Sequence, residues 1–276
     1  MKIIDKKILA QSEKVRIVLL KIKNKLIADK FLPGQFVIVM VSKQGERIPL
    51  TIVDADKKNG VIVIVFQEIG FTTKLLGKLN IGDSLYTIVG PLGNATEIKK
   101  YENVIMVAGG VGIAEMFPVA RAFKEAGNKL VNIIGVRTKE LLIFEKEISK
   151  ISNKMFITTD DGSYGEQGFT TDILSRLLSK GLACDLVYTV GPIPMMRRVA
   201  EITKSFKIKT VASLNALMVD GSGMCGSCRV RVGGEVKFSC IDGPEFDAHL
   251  VNWEEFDKRS RVYFEKEHIC KRLIYG

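Results

Sequence analysis

Three cysteines near the carboxyl end carry the strongest chemical signal in the sequence. In Asp220-Gly-Ser-Gly-Met-Cys225-Gly-Ser-Cys228-Arg229 two thiols are separated by two residues, and Cys240 follows. Thiolates at that spacing can grip one metal or one cluster edge, because the turn between them aims both sulfurs the same way. Gly221, Gly223 and Gly226 permit the backbone angles that point amides at inorganic sulfide. Val230–Val232 and Val236–Phe238 read as the arms of a hairpin around Gly233-Gly234, which brings Cys240 back from the far side. Plant-type [2Fe–2S] ligation runs Cys-x4-Cys-x2-Cys with a later cysteine. The spacing is the same here, with Asp220 in the first position. A [2Fe–2S] cluster on Cys225, Cys228, Cys240 and the Asp220 carboxylate explains both the spacing and the glycines. Asp242 is the second candidate for the fourth ligand. A zinc ion with Asp220 completing its shell is the alternative. Unligated thiols are hard to reconcile with three of them in a glycine-rich loop. Cys184, just ahead of a predicted strand, and Cys270, in the tail, read as packing residues.

Two glycine turns form the second signal. Val104–Ala108 followed by Gly109-Gly110-Val111-Gly112 reads as strand, tight turn and helix, an arrangement that lets backbone N–H groups approach a pyrophosphate at the positive helix end. Gly191-Pro192-Ile193-Pro194-Met195 ends a later strand in the same way, and switch-point geometry puts both turns on one sheet edge. Thr159-Asp160-Asp161-Gly162 closes another strand there; alone it reads as an ordinary turn. Near the amino end, Arg47-Ile48-Pro49-Leu50-Thr51 can hold a phosphate and a ring at a strand start, or simply turn into a strand.

The elements that must position these residues fall into three stretches. Up to about residue 90 the chain reads as short strands: Ile3–Ala10, Val15–Ile22, Gln35–Val41, Ile48–Asp54, Val61–Gln67 and Ser84–Val89, with a short amphipathic helix at Thr72–Leu79. Strands so spaced predict a small antiparallel barrel. After Gly90-Pro91 strands alternate with helices. The strands are Asn103–Ala108, Lys129–Gly135, Met155–Thr159, Leu186–Val190 and Thr210–Leu214; the helices are Ile113–Ala126, Glu140–Ser149, Thr171–Leu178 and Pro194–Phe206. That alternation predicts a parallel sheet covered on both faces. The expected division is 1–97 barrel, 98–215 α/β domain, and 216–276 cysteine lobe with an unassigned tail from 246.

Composition sets the outer limits. A chain of 276 residues with 46% apolar and 26% charged residues suits two globular domains and an appendage. Its longest apolar runs are too short to span a bilayer, and its amino terminus lacks a signal-peptide core, so a cytoplasmic location is expected. The formal charge of +10 is dispersed. No base-reading motif accompanies it, so a solvated lysine-rich surface, or one that attracts an acidic protein such as a ferredoxin, is expected rather than nucleic-acid binding.

The order of these motifs resembles the ferredoxin–NADP reductase superfamily over essentially the whole chain. Arg47–Thr51 matches the family's Arg-x-[Tyr/Pro]-x-[Ser/Thr] flavin motif, and Gly109–Gly112 its Gly-Gly-x-Gly. Val190–Met195 matches its late Cys-Gly-Pro-x-x-Met, with Val190 in place of the cysteine that usually faces the nicotinamide. The resemblance implies an FAD-binding β-barrel touched by Arg47, Pro49, Leu50 and Thr51 and by Phe66, Gln67, Gly70, Thr72 and Thr73. It implies NAD(H) over Gly109, Gly110, Val111, Gly112, Arg137, Asp160, Asp161, Gly162, Gly191 and Pro192, with NADP(H) open through Arg137-Thr138. A cluster lobe at the carboxyl end resembles the branch that contains electron-transfer subunits of dihydroorotate dehydrogenase and of bifurcating NADH-dependent ferredoxin:NADP oxidoreductases. The former carry four cysteines, and Asp220 in the first position resembles the latter. That branch implies a heterodimer with a larger flavin and [4Fe–4S] subunit, and a ferredoxin reached through the complex. An electron-transfer subunit of a dihydroorotate dehydrogenase, a hydrogenase or a sulfide dehydrogenase is the alternative within that class, and a nucleotide- and cluster-binding redox sensor is the alternative from another.

Overall fold

Alternating apolar residues in the first ninety positions pair into one six-stranded antiparallel sheet. The structure, a computed structural model, describes residues 1–263; Cys270 lies outside the described residues. The chain runs β1 (Ile3–Gln11), β2 (Arg16–Lys23), helix α1 (Lys25–Lys30), β3 (Phe36–Met40), β4 (Arg47–Asp56), β5 (Val61–Gln67), helix α2 (Phe71–Lys78) and β6 (Thr87–Leu92). The strand order is β1-β2-β5-β4-β3-β6. A bridge from Lys2 to Ser84, with Ile3 N–H donating to the Asp83 carbonyl at 2.9 Å, draws the two edges together and closes the barrel. Ser84 therefore serves closure, and the last strand starts later than its sequence suggests. β4 serves both halves: Arg47–Thr51 pair with β3, and Ile52–Asp56 pair with β5. Successive side chains of each strand point to opposite faces, and the inward set fills the barrel with Val18, Leu20, Ile22, Val37, Val39, Ile52, Ile62 and Ile64.

The second layer is a mixed seven-stranded sheet. It contains β7 (Asn103–Gly109), helix α3 (Gly112–Glu125), β8 (Lys129–Val136), helix α4 (Glu145–Ile151), β9 (Lys154–Thr159), the two-residue β10 (Glu166–Gln167), helix α5 (Thr170–Ser179), β11 (Leu186–Val190), helix α6 (Ile193–Ser205) and β12 (Lys209–Ser213). The order is β10-β9-β8-β7-β11-β12, all parallel, and an antiparallel edge strand from the cysteine lobe follows β12. Met106, Ala108, Tyr188 and Val190 face α3 and α4, and through them the barrel residues Ala10, Ile17, Val53 and Val65. Ile105, Val107 and Val187 face α5 and α6 on the other side. The helix expected over Glu140–Ser149 is broken: a 3-10 turn at Lys139–Leu141 is followed by Phe144 at φ 56°, and only then by α4. Leu141 and Ile143 are buried there, and a straight helix could not turn both inward.

The cysteine lobe holds the hairpin β13 (Arg229–Val232) and β14 (Glu235–Phe238), then β15 (Glu245–Asp247) and helix α7 (Trp253–Ser260). β15 is the strand that adds antiparallel to β12, so the lobe returns a strand to the mixed sheet. Phe36, Ile38 and Leu92 of the barrel share one apolar cluster with Met218, Cys228 and Cys240.

Candidate functional site

At the carboxyl edge of β7, β8, β9 and β11 lies a cavity of about 510 Å³. Gly109, Gly110, Val111, Arg137, Asp160 and Pro192 wall it, and Gln67 closes it from the barrel side. The glycines there do different jobs. Gly110 sits at φ +59° and a Cβ on it would meet nothing within 4 Å, so the turn leaves an open cradle at the start of α3. A Cβ on Gly112 would lie 2.7 Å from the Val190 carbonyl oxygen, so that position holds α3 tightly against β11. Gly191 is likewise packed on the Gly109 backbone. The open space at Gly110 and the positive end of α3 make this cradle fit a pyrophosphate. Asp161 and Gly162 are not wall residues: the Asp161 carboxylate accepts from the Ser163 N–H at 3.0 Å and hydroxyl at 2.6 Å, shaping the turn. Met195, at the end of the second glycine motif, lines the cavity, and so do Phe169, Thr170 and Arg198, which sequence reasoning missed. No motif marks them, because α5 and α6 bring them in from two separate turns.

On the barrel, Arg47, Pro49, Leu50 and Thr51 follow one another along β4, and Gly70 caps α2. The Thr73 hydroxyl accepts from the N–H groups of Ile69 at 3.1 Å and Gly70 at 3.0 Å, which fixes the start of that helix. The buried Thr72 hydroxyl donates to Glu46 at 2.7 Å and anchors the loop before Arg47. Phe66 is buried in the barrel core, which leaves its backbone for contact, while Gln67 reaches the cavity. Both threonine hydroxyls are thus engaged within the protein, and the Thr72–Glu46 bond ties the first turn of α2 to the loop that leads into β4.

Two of the three lobe cysteines lie side by side. Cys228 and Cys240 are buried with their sulfurs 3.2 Å apart, held by the Ser239 N–H donating to the Cys228 carbonyl at 3.1 Å. Cys225 is exposed, and its sulfur is 3.1 Å from the Ser227 hydroxyl; that contact pulls its thiol below the ordinary value. Asp220 accepts from the Ser222 N–H at 2.8 Å, and this bond holds its carboxylate below the usual range, helped by hydrogen bonding to Cys225 and by Arg47. The Arg47 charge on β4 therefore acts on the Asp220 carboxylate of the cysteine lobe. Gly221, Gly223 and Gly226 all adopt positive φ, and a Cβ on Gly221 would strike Leu92 at 2.7 Å. Burial, and the Cys228 sulfur beside it, push the Cys240 thiol up to about 12. The Ser239 hydroxyl, buried next to Cys240, has no hydrogen-bond partner. Among the described residues no three His, Cys, Asp or Glu side chains are arranged around a single ion. A donor set of three sulfurs and one carboxylate spread over a loop and a hairpin, with a spare hydroxyl beside it, fits a cluster better than one zinc ion. Asp242 is turned away: its carboxylate accepts from the Phe238 N–H at 2.6 Å.

Two stretches of the chain match known protein families. Residues 215–252 match the iron-sulfur cluster binding domain of dihydroorotate dehydrogenase B, and residues 106–201 match the oxidoreductase NAD-binding domain. A dihydroorotate dehydrogenase B (NAD(+)) electron transfer subunit homolog of Thermotoga maritima is 45% identical, over 86% of this chain and 83% of that protein. The electron transfer subunit of Bacillus caldolyticus is 32% identical, over 84% and 91%. A chain of the NADH-dependent reduced ferredoxin-NADP oxidoreductase, solved for insight into flavin-based electron bifurcation, superimposes with a TM-score of 0.91 at 40% identity, covering 100% of this chain and 98% of that one. Ferredoxin-NADP+ reductase of Plasmodium falciparum shares the fold alone, at a TM-score of 0.59 and 18% identity.

Proposed function

The chain belongs to the family of dihydroorotate dehydrogenase B electron-transfer subunits and their homologues, and we propose that within it this chain is the NAD(H)-linked subunit of a flavin-based electron-bifurcating NADH-dependent ferredoxin:NADP oxidoreductase. The observation that carries the reading is the full-length superposition on a chain of that oxidoreductase. Its cofactors are FAD, a [2Fe–2S] cluster and NAD(H). When bound, these groups supply one-electron transfer at the cluster, its conversion to two-electron chemistry at the flavin, and hydride exchange with the nicotinamide.

The protein's part is to hold, orient and insulate. Arg47, Pro49, Leu50 and Thr51 hold the flavin from β4, while the Phe66–Gln67 strand end and the first turn of α2 around Gly70, Thr72 and Thr73 take its phosphates. Gly109–Gly112, Arg137, Asp160 and Pro192 hold the dinucleotide. Asp161, Gly162 and Gly191 support those walls from behind. Cys225, Cys228, Cys240 and Asp220 hold the cluster. Domains 1–97, 98–215 and 216–276 each contribute one site, and the shared apolar seams between them keep water from the path. The chain works with a partner subunit, as its homologues do; we assign that role to a larger flavin and [4Fe–4S] protein in a heterodimer, with ferredoxin met through the complex. No helix among the described residues is long and apolar enough to cross a membrane, and a cytoplasmic site of action agrees with that.

A second reading, an electron-transfer subunit for a dihydroorotate dehydrogenase, rests on the relatives' names. Affinity purification of the tagged chain from its native cell under anaerobic conditions separates the two. Recovery of a flavin and [4Fe–4S] subunit, with NADH- and ferredoxin-dependent reduction of NADP⁺, is expected. Recovery of a subunit that reduces NAD⁺ with dihydroorotate would overturn the first reading.

A further inference from the structure

The loop that carries Cys225 and Cys228 is held from outside its own hairpin. Arg259, in the last turn of α7, donates from Nη2 to the Ser227 carbonyl at 3.0 Å and from Nε to the Arg229 carbonyl at 3.1 Å. One guanidinium thus spans the carbonyls of the residues on either side of Cys228. The Cys228 carbonyl takes the Ser239 N–H, from just past β14, at 3.1 Å. Three successive carbonyls are therefore satisfied, two of them by a single side chain.

Contacts along β13 place α7 for this. The Gly233 N–H donates to the Leu250 carbonyl at 2.8 Å, and the Asn252 N–H to the Arg231 carbonyl at 2.9 Å. Arg231 Nε donates to Glu255 at 3.0 Å. Asn252 caps the helix by accepting from the Glu255 N–H at 3.0 Å, and Phe256 is buried in the same apolar cluster as Cys228 and Cys240. The carboxylates of α7 are engaged away from Arg259: Glu254 with Lys258 at 2.6 Å, Glu255 with Arg231, and Asp257 with Arg261 at 2.8 Å. Arg259 keeps its charge, and it lines one surface hollow of about 400 Å³ with Cys225, Ser227 and the exposed Arg229. It lies beyond the cluster-binding stretch at residues 215–252, and no motif marks it.

We propose that Arg259 is a positioning residue for the cluster, clamping the ligand loop through the carbonyls that flank Cys228 and holding a permanent positive charge beside it. This rests on the reading of Cys225 and Cys228 as cluster ligands. The charge and the clamp have separate consequences. Reduction adds one electron, and so one negative charge, to the cluster, and a cation held at the ligand loop favours that reduced form. Arg259 therefore raises the potential at which the cluster accepts an electron. The clamp governs how long the loop keeps the cluster. Arginine bridges two carbonyls because its donors form a rigid planar fork; lysine carries the same charge without the fork.

The test uses the full chain purified anaerobically with its flavin and cluster. EPR-monitored redox titration gives the cluster midpoint potential, and bleaching by an iron chelator gives the rate of cluster loss. Arg259→Gln should lower the reduction equilibrium by on the order of tenfold, about 59 mV for a one-electron couple, and speed cluster loss. Arg259→Lys should keep a potential close to wild type and still lose its cluster several-fold faster. Glu255→Gln cuts the ion pair between α7 and β13 but spares the Arg259 guanidinium, and should leave the potential where it is. A drop in Glu255→Gln as large as in Arg259→Gln would assign the effect to helix packing and overturn the proposal. Wild-type potential in cluster-loaded Arg259→Gln, or wild-type cluster lifetime in Arg259→Lys, overturns it too. Arg259→Gln that keeps flavin but no cluster supports the clamp; if it keeps neither, the cluster lifetime of Arg259→Lys decides. Wild-type protein without a [2Fe–2S] signal would instead sink the reading of the lobe and this proposal together.

Discussion

At the scale of single residues, the nucleotide and cluster sites depend on atoms that are missing as much as on those present. Gly112 has no room: a Cβ there meets the Val190 carbonyl oxygen, a backbone atom, at 2.7 Å. Gly112→Ala should therefore lower stability by about 1–3 kcal/mol, read by denaturant titration, as overpacking does. Gly110 has room but sits at φ +59°. Gly110→Ala should cost about 1–2 kcal/mol of backbone strain and place a methyl group in the cradle. NADH affinity, measured by fluorescence titration, should fall more for Gly110→Ala than stability does. Asp220 belongs to the same scale. Asp220→Cys should keep the cluster but change its EPR spectrum and potential, because thiolate replaces carboxylate; an unchanged spectrum would remove Asp220 from the ligand set. These residues are legible because chemistry fixes their type and spacing locally: Cys225 and Cys228 share one turn, and Gly109 to Gly112 share another. Phe169 and Arg198 are not, since nothing in their own neighbourhood distinguishes a cavity wall from a surface.

At the scale of elements, α2 shows how a binding end is built. The Thr73 hydroxyl gathers the N–H groups of Ile69 and Gly70. Thr73→Val should cost about 1 kcal/mol, as lost helix caps do, and weaken flavin retention during gel filtration. Strand and helix identities follow from apolar period through most of the chain, and β5, β11 and α3 lie within a residue of their expected bounds. Failures have local physical causes. The six residues of α1 are too few to show a helical period. The 140–149 segment reads as continuous because its apolar residues recur at helical spacing, yet Phe144 adopts φ 56° to bury Ile143. β15 gives no signal because a three-residue edge strand is defined by its partner, β12, and not by its own composition.

At the scale of the molecule, Glu245 ties three regions together. Thr96, after the last barrel strand, and Tyr188, on the central sheet, both donate to this carboxyl of the cluster lobe. These residues are far apart in sequence, so no motif could announce the junction. Burial lifts Glu245 from an ordinary 4.5 to about 6. Its contribution to stability is complete below the unfolded value and is lost as pH rises through about 6. Glu245→Gln should therefore flatten the fall in melting temperature between about pH 4.5 and about pH 7. A fall as steep as in wild type would show that other groups carry it.

The central claim is that one chain holds a flavin and a two-iron cluster side by side, across the seam where Phe36, Ile38 and Leu92 of the barrel pack with Cys228 and Cys240. Its most direct measurement is the absorption spectrum of anaerobically purified protein with chemical counts of iron, acid-labile sulfide and flavin. The account predicts a coloured protein with iron and sulfide in equal amounts, each about twice the flavin. Colourless protein, free of both sulfide and flavin after reconstitution, would contradict it.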